Sequence, residues 1–261
     1  MRFTRAIVRR PAPTFAAGLT SAGEGPPDLA RALEQHRAYC EALAALGLEL
    51  TELATDAAYP DGTFVEDTAI VTGRGAIITR PGAPSRSGEV DSVARALRSF
   101  YSHVQPIVAP GTVDGGDVCE ADGQFLIGVS GRTNEPGAEQ LVEHLRHMHY
   151  RARIVDIRSV PGLLHLKTGI THLGAGVWVV GAPLVDTVRA WDLKPMREII
   201  PVDAAEGYAA NCVRVNDAVL IARGYPRLAA ALSERGFAPL PLDMSEFRKM
   251  DGGLSCLSLR F

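Results

Sequence analysis

Cysteine is scarce in this sequence: there are four cysteines, at positions 40, 119, 212 and 256, among 261 residues. Their spacing does not match the paired cysteines of zinc sites, and they are too sparse for the disulfide framework of a secreted protein. We therefore expect reduced thiols and a cytoplasmic location, where disulfides are rare.

Long apolar runs and a strong charge of either sign are also lacking. No run reaches the roughly eighteen apolar residues of a membrane helix, and arginines interrupt the apolar residues of the first ten positions, as they would not in a signal peptide. The net charge is only −3, so we expect neither nucleic acid nor a membrane as a partner. The hydrophobic content of 46% is ordinary for a globular protein with a sizeable core.

Short acidic or glycine-rich turns recur along the chain at similar intervals. They are Phe64-Val65-Glu66-Asp67, Asp114-Gly115-Gly116-Asp117, His165-Leu166-Lys167-Thr168-Gly169, Tyr208-Ala209-Ala210-Asn211 and Asp251-Gly252-Gly253-Leu254-Ser255-Cys256. Counted from Asp67, Asp117, Thr168, Cys212 and Cys256, the steps are 50, 51, 44 and 44 residues. Periods of this size predict repeated supersecondary units that pack on one another.

The turns are followed by a pattern typical of a β-hairpin, a helix and a further strand. Short apolar runs predict hairpins around turns at residues 73–75, 122–123, 174–176 and 216–217. Apolar residues at three- and four-residue spacing predict helices at residues 28–46, 87–100, 136–148, 184–193 and 226–235. Return strands are predicted at residues 48–53, 104–108, 154–157, 199–202 and 240–242.

The repeated unit is thus strand, strand, helix, strand, and five such units are predicted. The alternation that follows Gly252 and Gly253 predicts a strand beginning at Cys256, and the strand predicted at residues 3–8 would complete this last unit. Radial repetition predicts a five-fold pseudosymmetric α/β propeller, in which equivalent turns converge on a central pocket. The alternative is an open mixed sheet in which the same turns are scattered.

The converging turns carry a thiol, an imidazole and several carboxylates. These side chains are Cys256, His165, Asp61, Glu66, Asp67, Asp114 and Asp117. Each of them alone also fits a structural role, since cysteines are commonly buried in cores and aspartates commonly form turns. Together they match the nucleophile, the acid–base group and the orienting groups of covalent catalysis.

The carboxylates also indicate the kind of substrate. Near one thiol they would repel an anion and suit a cation, and guanidinium is the planar cation that carboxylates bind in a bidentate way. Arg86 and Arg132 lie in loops before predicted helices, where a pair of arginines can hold a carboxylate. A ligand with a guanidinium at one end and a carboxylate at the other is an arginine-like amino acid.

From end to end, the sequence resembles the dimethylarginine dimethylaminohydrolases of the guanidino-modifying, pentein superfamily. The segments that carry the resemblance are Gly18-Leu19-Thr20-Ser21, Pro60-Asp61, Phe64-Val65-Glu66-Asp67, Ile78-Thr79-Arg80-Pro81-Gly82-Ala83, Ala109-Pro110-Gly111-Thr112 with Gly116-Asp117, Arg132-Thr133-Asn134, Leu164-His165-Leu166-Lys167-Thr168-Gly169, Tyr208-Ala209-Ala210-Asn211-Cys212 and the turn of Cys256. The resemblance implies a single catalytic pentein domain over residues 1–261. It also implies hydrolysis of asymmetric dimethylarginine and monomethylarginine to citrulline and dimethylamine or methylamine.

The resemblance implies roles for individual residues. Cys256 matches the nucleophile that attacks the guanidinium carbon, and His165 matches the group that protonates the departing amine and then activates water. Asp114 matches the acidic position grouped with these two, which some members fill with the longer glutamate. The implied substrate-binding residues are Glu66 and Asp67 at the guanidinium, Arg86 and Arg132 at the carboxylate, Asp61 with the backbone oxygens of Leu19 and Met250 at the α-amino group, and Phe64 in the same segment.

Two other functions are compatible with the sequence. Another pentein activity, arginine deimination or citrulline hydrolysis, would use the same thiol and imidazole. What distinguishes it from hydrolysis of methylated arginines is whether the pocket has room for N-methyl groups. Arginine deiminases tend to carry an extra helical domain, for which this chain has no room. A non-catalytic pentein binding protein would need neither Cys256 nor His165.

The resemblance implies no cofactor and no resident metal, although the thiol of that family can capture zinc as an inhibitor. The expected partner is a small-molecule substrate, a methylated arginine. The sequence is compatible with a monomer or a homodimer.

Overall fold

The computed structural model describes residues 2–193 and 196–261, which contain fifteen strands and seven α-helices. The strands are β1 (Arg5–Arg9), β2 (Glu49–Leu53), β3 (Ala69–Thr72), β4 (Gly75–Ile78), β5 (Val104–Pro106), β6 (Val118–Ala121), β7 (Gln124–Val129), β8 (Arg151–Asp156), β9 (Ile170–Gly174), β10 (Val177–Gly181), β11 (Glu198–Val202), β12 (Val213–Val215), β13 (Ala218–Ala222), β14 (Ala238–Leu242) and β15 (Leu259–Arg260). The helices are α1 (Leu29–Ala45), α2 (Val90–Leu97), α3 (Glu135–His147), α4 (Leu166–Gly169), α5 (Val185–Ala190), α6 (Pro226–Ser233) and α7 (Ser245–Arg248).

Across these described residues, the strands form five separate three-stranded sheets with one common topology. The orders are β15-β1-β2, β3-β4-β5, β6-β7-β8, β9-β10-β11 and β12-β13-β14. In each sheet the middle strand is antiparallel to its first neighbour and parallel to the strand that returns after the helix. The α/β class and the five repeated units that the sequence predicts are therefore confirmed.

The two ends of the chain share one sheet. Ala6 pairs with Arg260 and Ile7 pairs with Leu259, so β15 and β1 form the antiparallel pair that a hairpin forms in the other four units. The predicted completion of the last unit by the first strand is confirmed. Because this pairing joins residues more than 250 positions apart, the fifth unit forms only when the chain ends meet.

Hydrophobic clusters join each sheet to its neighbours. Ile7 of the terminal sheet packs in one cluster with Ile78 of the next sheet, and Leu126 packs in another with Trp178. One cluster also joins the last hairpin sheet, through Leu220, to the terminal sheet. Two further clusters join the second sheet to the third and the fourth to the fifth, so apolar side chains link each sheet to the next and the last sheet to the first.

Local sequence signals explain where several elements begin. The Asp28 side chain accepts a hydrogen bond from Arg31 N at 3.0 Å, and the Asn134 side chain accepts one from Gly137 N at 2.9 Å. These contacts satisfy free N–H groups in the first turns of α1 and α3. The helix predicted at residues 87–100 is shorter, because Pro84–Arg86 forms a 3-10 turn and α2 begins only at Val90.

The segment around Cys256 differs from the predicted strand. Ser255–Leu257 forms a 3-10 turn, and the strand β15 includes only Leu259 and Arg260. The alternation of apolar and polar residues is real, but Ser255 donates a hydrogen bond from its side chain to Glu66. This tie holds the backbone in a turn at the position where the sequence pattern indicates a strand.

Hydrogen bonds link the five polar turns to one another in chain order. Asp67 Oδ1 accepts from Gly116 N at 2.8 Å, and Asp117 Oδ1 accepts from Leu166 N at 2.9 Å. Asn211 Nδ2 donates to Lys167 O of the turn before it and to Ser255 Oγ of the turn after it. The predicted convergence of the turns is confirmed, and their polar side chains meet at one end of the sheets.

No helix in residues 2–193 and 196–261 combines the length and the apolar character that crossing a bilayer requires. The four cysteines are free thiols.

Asn216 gives a test of how the last hairpin is attached to the chain ends. It has a positive φ of 51°, it is buried, and its side chain bonds to Phe3 N, Phe3 O and Leu46 O at 2.8 to 3.0 Å. Asn216→Ala removes these partners and leaves a β-carbon in a left-handed conformation, so we expect the free energy of unfolding to fall by about 3 kcal/mol. Urea unfolding measures this change.

The neighbouring Asp217→Ala variant is the matched control. The Asp217 side chain is 82% exposed and pairs with the exposed Arg2, at 3.4 Å. We expect it to change the free energy of unfolding by less than about 0.5 kcal/mol. Equal losses in the two variants would contradict the assignment of the tie to Asn216.

Candidate active site

A cavity of about 230 Å³ lies at the end of the sheets where the turns meet. Cys256 and His165 line it together with most of the predicted substrate-binding residues, namely Leu19, Asp61, Phe64, Asp67, Arg86, Arg132 and Met250. A second cavity of about 270 Å³ adjoins it and shares Cys256 and His165. Glu66 lines this second cavity, and Asp114 is fully buried behind His165. The structure thus brings every predicted site residue to one place.

Cys256 lies in the middle of the 3-10 turn Ser255–Leu257, and Gly253 N donates a hydrogen bond to its Sγ at 3.4 Å. A β-carbon on Gly252 would clash with the ring of Phe64, and one on Gly253 would clash with the amide of Asn211. The two glycines are therefore required by close packing and not by flexibility. Burial, followed by the charges of Glu66 and Asp67, raises the pKa of the Cys256 thiol to about 12.

His165 precedes α4, and its Nε2 lies 3.0 Å from Asp114 Oδ2. Burial opposes protonation of this ring, but the charge of Asp67 and the hydrogen bond to Asp114 outweigh burial and raise the pKa of His165 to about 9. The imidazole is therefore protonated at neutral pH. The aspartate at position 114 is thus long enough to reach the imidazole.

Asp67 and Arg86 form a buried ion pair beside the cavity. Arg86 Nη1 donates to Asp67 Oδ2 at 2.6 Å, while Arg86 Nε and Nη2 donate to Glu89 at 2.8 to 3.1 Å. Burial would raise the pKa of Asp67, but the charges of His165 and Arg86 lower it to about 2. Asp67 is therefore a permanent negative charge between the guanidinium of Arg86 and the imidazolium of His165.

The two arginines predicted to bind a carboxylate differ in their surroundings. The Arg86 side chain is only 5% exposed and also donates to Phe64 O at 3.1 Å, so most of its donors already have partners. Arg132 is 22% exposed, and its ion pair with Asp114 is long, at 3.8 Å. The loop that carries Arg132 is held by Asp117, whose Oδ2 accepts from the hydroxyls of Ser130 and Thr133 at 2.6 and 2.7 Å.

The segment of residues 19–21 also lines this cavity. Leu19 N donates to both oxygens of Asp61, at 3.1 and 3.2 Å, and Ser21 bonds to the Asp251 carboxylate through its backbone and its hydroxyl. Burial raises the pKa of Asp61, opposed by the charge of Arg86. The segment is thus tied to the turn that carries Cys256 and to the aspartate predicted to bind an amino group.

Sequence reasoning missed several residues that support the site. Glu89 pairs with Arg86, and Lys167 Nζ pairs with Glu66 Oε1 at 2.7 Å. The sequence pattern identifies Asn211 only as part of the turn Tyr208-Ala209-Ala210-Asn211. The position of Glu89 three residues after Arg86 is a helical spacing for an ion pair, but the pairing of Lys167 with Glu66 spans 101 residues and leaves no signal in the sequence.

One group of side chains in the described residues could hold a metal ion: the ligand atoms of Asp67, Asp114 and His165 lie within 4.8 Å of one another. The group is not well suited to that role, because Arg86 bonds to one oxygen of Asp67 and because His165 would have to lose a proton with a pKa of about 9. The same carboxylates suit a guanidinium, which takes up hydrogen bonds in one plane.

Comparisons with known proteins identify the family of this chain. A model of the family described as Arginine deiminase matches residues 30–215. The N(G),N(G)-dimethylarginine dimethylaminohydrolase of Pseudomonas aeruginosa is 42% identical over 260 residues, which cover 99% of this chain and 100% of that protein. The chain belongs to the dimethylarginine dimethylaminohydrolase family.

Solved structures of the dimethylarginine dimethylaminohydrolase family share the whole fold. The Pseudomonas aeruginosa enzyme, as a cysteine-to-serine mutant complexed with citrulline, matches with a TM-score of 0.94 and 40% identity, and the match covers 100% of each chain. A dimethylarginine dimethylaminohydrolase with a histidine-to-glycine substitution, in an adduct with S-methyl-L-thiocitrulline, matches with a TM-score of 0.93 and 41% identity. That match covers 99% of this chain and 100% of the other.

The pKa of His165 tests the electrostatics of the site. Asp114→Asn removes a charged hydrogen-bond partner, so we expect the pKa of His165 to fall below about 9. A raised pKa stabilises the folded state below the ordinary value of 6.5, and this contribution is lost as the pH rises through about 9. The Asn variant should lose this stabilisation, and NMR titration of the imidazole measures the shift.

Asp122→Asn is the matched control, because Asp122 Oδ2, in the turn between β6 and β7, lies 3.3 Å from Nε2 of a second histidine, His172 of β9. It should lower the pKa of His172 and leave that of His165 unchanged. An unchanged pKa of His165 in Asp114→Asn would show that Asp114 does not hold the proton.

Proposed function

We propose that this protein hydrolyses asymmetric dimethylarginine and monomethylarginine to citrulline and dimethylamine or methylamine, through a covalent intermediate on Cys256. The observation that carries this proposal is the cavity in which Cys256 and His165 meet the buried carboxylate of Asp67, in a chain of the dimethylarginine dimethylaminohydrolase family. The reaction needs no cofactor, because the thiol and the imidazole supply the nucleophile and the proton.

In the proposed complex, the guanidinium and the amino-acid end of the substrate contact different residues of the cavity. Asp67 and Glu66 hold the guanidinium beside Cys256, while Arg132, with Arg86 behind it, attracts the carboxylate. Asp61 and the backbone oxygens of Leu19 and Met250 receive the α-amino group. All but Glu66 line the cavity of about 230 Å³, and Glu66 lies in the adjoining cavity next to the thiol.

The first half of the reaction is attack by the thiol. With its pKa at about 12, the Cys256 thiol is protonated in the free protein, partly because of the charges of Glu66 and Asp67. A bound guanidinium places a positive charge at the same position, which lowers the pKa of the thiol and favours the thiolate. The thiol proton passes to solvent, since the protonated His165 cannot accept it. The bond from Sγ to the guanidinium carbon then forms as the electron pair of the carbon–nitrogen double bond moves onto nitrogen.

The second half is departure of the amine and hydrolysis. An amine leaves only after protonation, and His165 carries a proton at neutral pH because its pKa is about 9. When the carbon–nitrogen bond breaks, this proton goes to the methylamine and His165 becomes neutral. The neutral ring then accepts a proton from water, which attacks the carbon, and the carbon–sulfur bond breaks to give citrulline.

Deimination of arginine is the alternative that uses the same thiol and imidazole, and the matching family model carries that activity in its description. The cavity of about 270 Å³ favours methylated substrates, because it begins at Cys256 and His165 and offers space for substituents on the reacting nitrogen. A purely binding role does not explain a thiol and an imidazolium placed in one buried cavity.

We also propose that residues 1–261 form one catalytic domain and that its five units close as a propeller around the site. The cyclic order of the hydrophobic clusters and the hydrogen bonds between the polar turns support this arrangement. A reducing, cytoplasmic location is supported by the four free thiols.

The substrate assignment is tested by incubating the protein with asymmetric dimethylarginine, monomethylarginine and arginine and measuring the citrulline formed. We expect both methylated arginines to give citrulline and arginine to be much poorer. Cys256→Ser should remove turnover but retain binding, and mass spectrometry of the trapped wild type should place the adduct on Cys256. Faster turnover of arginine than of either methylated form would contradict the substrate assignment.

Arg132 tests the carboxylate end of the site. Hydrogen bonds to charged groups contribute about 1.5–3 kcal/mol, so Arg132→Ala should raise the KM about 10- to 100-fold while the fold is retained. Arg146→Ala is a surface control, since that side chain is 70% exposed and pairs with Glu143 of the same helix. If a decarboxylated methylarginine binds the unmodified protein as well as methylarginine does, Arg132 does not act as a clamp.

A further inference from the structure

Asn211 lies between the two turns that carry the thiol and the imidazole, although no chemical step above uses it. It is 6% exposed and follows the 3-10 turn Ala204–Ala210. Its Nδ2 donates to Lys167 O at 2.8 Å and to Ser255 Oγ at 3.0 Å, and its Oδ1 accepts from Ser255 N at 3.0 Å. A single buried amide therefore bonds to both catalytic turns.

On the thiol side, Asn211 determines the shape of the turn. Ser255 directly precedes Cys256, and both its backbone N–H and its hydroxyl bond to the Asn211 amide. The same amide packs so closely on Gly253 that a β-carbon would not fit there. Gly253 N in turn donates to Cys256 Sγ. Asn211 therefore contacts the backbone of the Cys256 turn at two residues, Gly253 and Ser255.

On the imidazole side, the bond to Lys167 O fixes the first turn of the short helix that follows His165. The Lys167 side chain pairs with Glu66 Oε1 at 2.7 Å, and Ser255 Oγ donates to Glu66 Oε2 at 2.6 Å. The amide of Asn211 thus closes a network that joins the turns of Glu66, His165 and Cys256.

The comparison with two related turns shows what an amide adds. Asp67 and Asp117 each accept a backbone N–H from the next turn, as Asn211 does. An aspartate at 211 could still accept from Ser255 N, but it could not donate to Lys167 O. It would also place another negative charge in the cavity that holds the thiol, where Asn211 and Cys256 both lie.

We propose that Asn211 is a positioning residue, whose neutral amide holds the turn of Cys256 against the turn of His165 without adding negative charge beside the thiol. The turnover readout below rests on the proposed function, whereas the alkylation readout depends only on the thiol.

The thiol already faces several titratable groups. Those that interact with it or line the cavities with it are Glu24, Asp61, Glu66, Asp67, Arg86, Arg132, His165, Lys167, Tyr208, Arg248 and Asp251. Several of these charges are paired within the site, as Glu66 is with Lys167 and Asp67 is with Arg86. The cations Lys167 and Arg86 already pair with Glu66 and Asp67. The negative charge of a carboxylate at 211 would therefore raise the pKa of the thiol.

The test compares Asn211→Asp and Asn211→Ala with wild type at pH 9, where a carboxylate is ionised. The rate at which iodoacetamide alkylates Cys256, located by mass spectrometry, follows the thiolate fraction. We expect Asn211→Asp to be alkylated at least about tenfold more slowly, since one pKa unit changes the thiolate fraction tenfold. Asn211→Ala adds no charge and should stay within about threefold of wild type.

Turnover of asymmetric dimethylarginine gives the second readout. Both variants should lose at least about tenfold in kcat with KM within about threefold, because they displace the reacting groups and leave the substrate contacts in place. Asn216→Ala is the matched control: it removes the hydrogen bonds of a similar buried asparagine that lines neither cavity at Cys256, so it should lower stability and leave kcat within about twofold.

Two results would overturn the proposal. One is an Asn211→Asp protein with wild-type alkylation and wild-type kcat. The other is a loss of kcat in Asn216→Ala as large as that in Asn211→Ala, which would make the effect one of stability. If wild type forms no citrulline, the proposed function fails, and the alkylation rates still decide whether the neutral amide matters. Asn211→Asp alters one side-chain atom and keeps the acceptor for Ser255 N, and if the charged variant does not fold, the kcat of Asn211→Ala still tests the positioning role.

Discussion

The rest of the site depends on the buried carboxylate of Asp67. Its two oxygens bond to Arg86 Nη1 and to Gly116 N, so one side chain links an arginine of the cavity wall to the next turn. Burying an ionised carboxylate is costly unless it is paired and hydrogen-bonded. The guanidinium and the backbone N–H meet that requirement, and the charge that remains fixed there acts on both catalytic groups.

That fixed charge affects the thiol and the imidazole in opposite ways. It favours the charged form of His165, whose pKa is about 9, and it disfavours the charged form of Cys256, whose pKa is about 12. The free protein therefore holds a proton ready for a leaving amine while its thiol stays unreactive. A cationic ligand reverses the effect on the thiol, so the site is activated by the charge of the molecule that it binds.

The sequence was sufficient to predict the repeated units, because hairpin turns and helical spacing are local signals that recur every 44 to 51 residues. It also predicted the meeting of Asp67, His165 and Cys256, since equivalent turns of repeated units face the same way. It could not predict the 3-10 turn at Cys256, the reach of Lys167 to Glu66 or the bonds of Asn211. Each of these depends on contacts between turns 44 or more residues apart, which no local pattern encodes.

The two kinds of tie between turns follow from the charge of what they adjoin. At Asp67 and Asp117, whose charges both act on the imidazole, a carboxylate accepts a backbone N–H of the next turn and also stabilises the cation. Where the next turn carries the thiol, a third carboxylate would oppose the thiolate, and Asn211 accepts the N–H with a neutral amide. The same hydrogen bond to the next turn is thus made by a charged side chain at Asp67 and Asp117 and by a neutral one at Asn211. The difference matches the charges that favour an imidazolium and a thiolate.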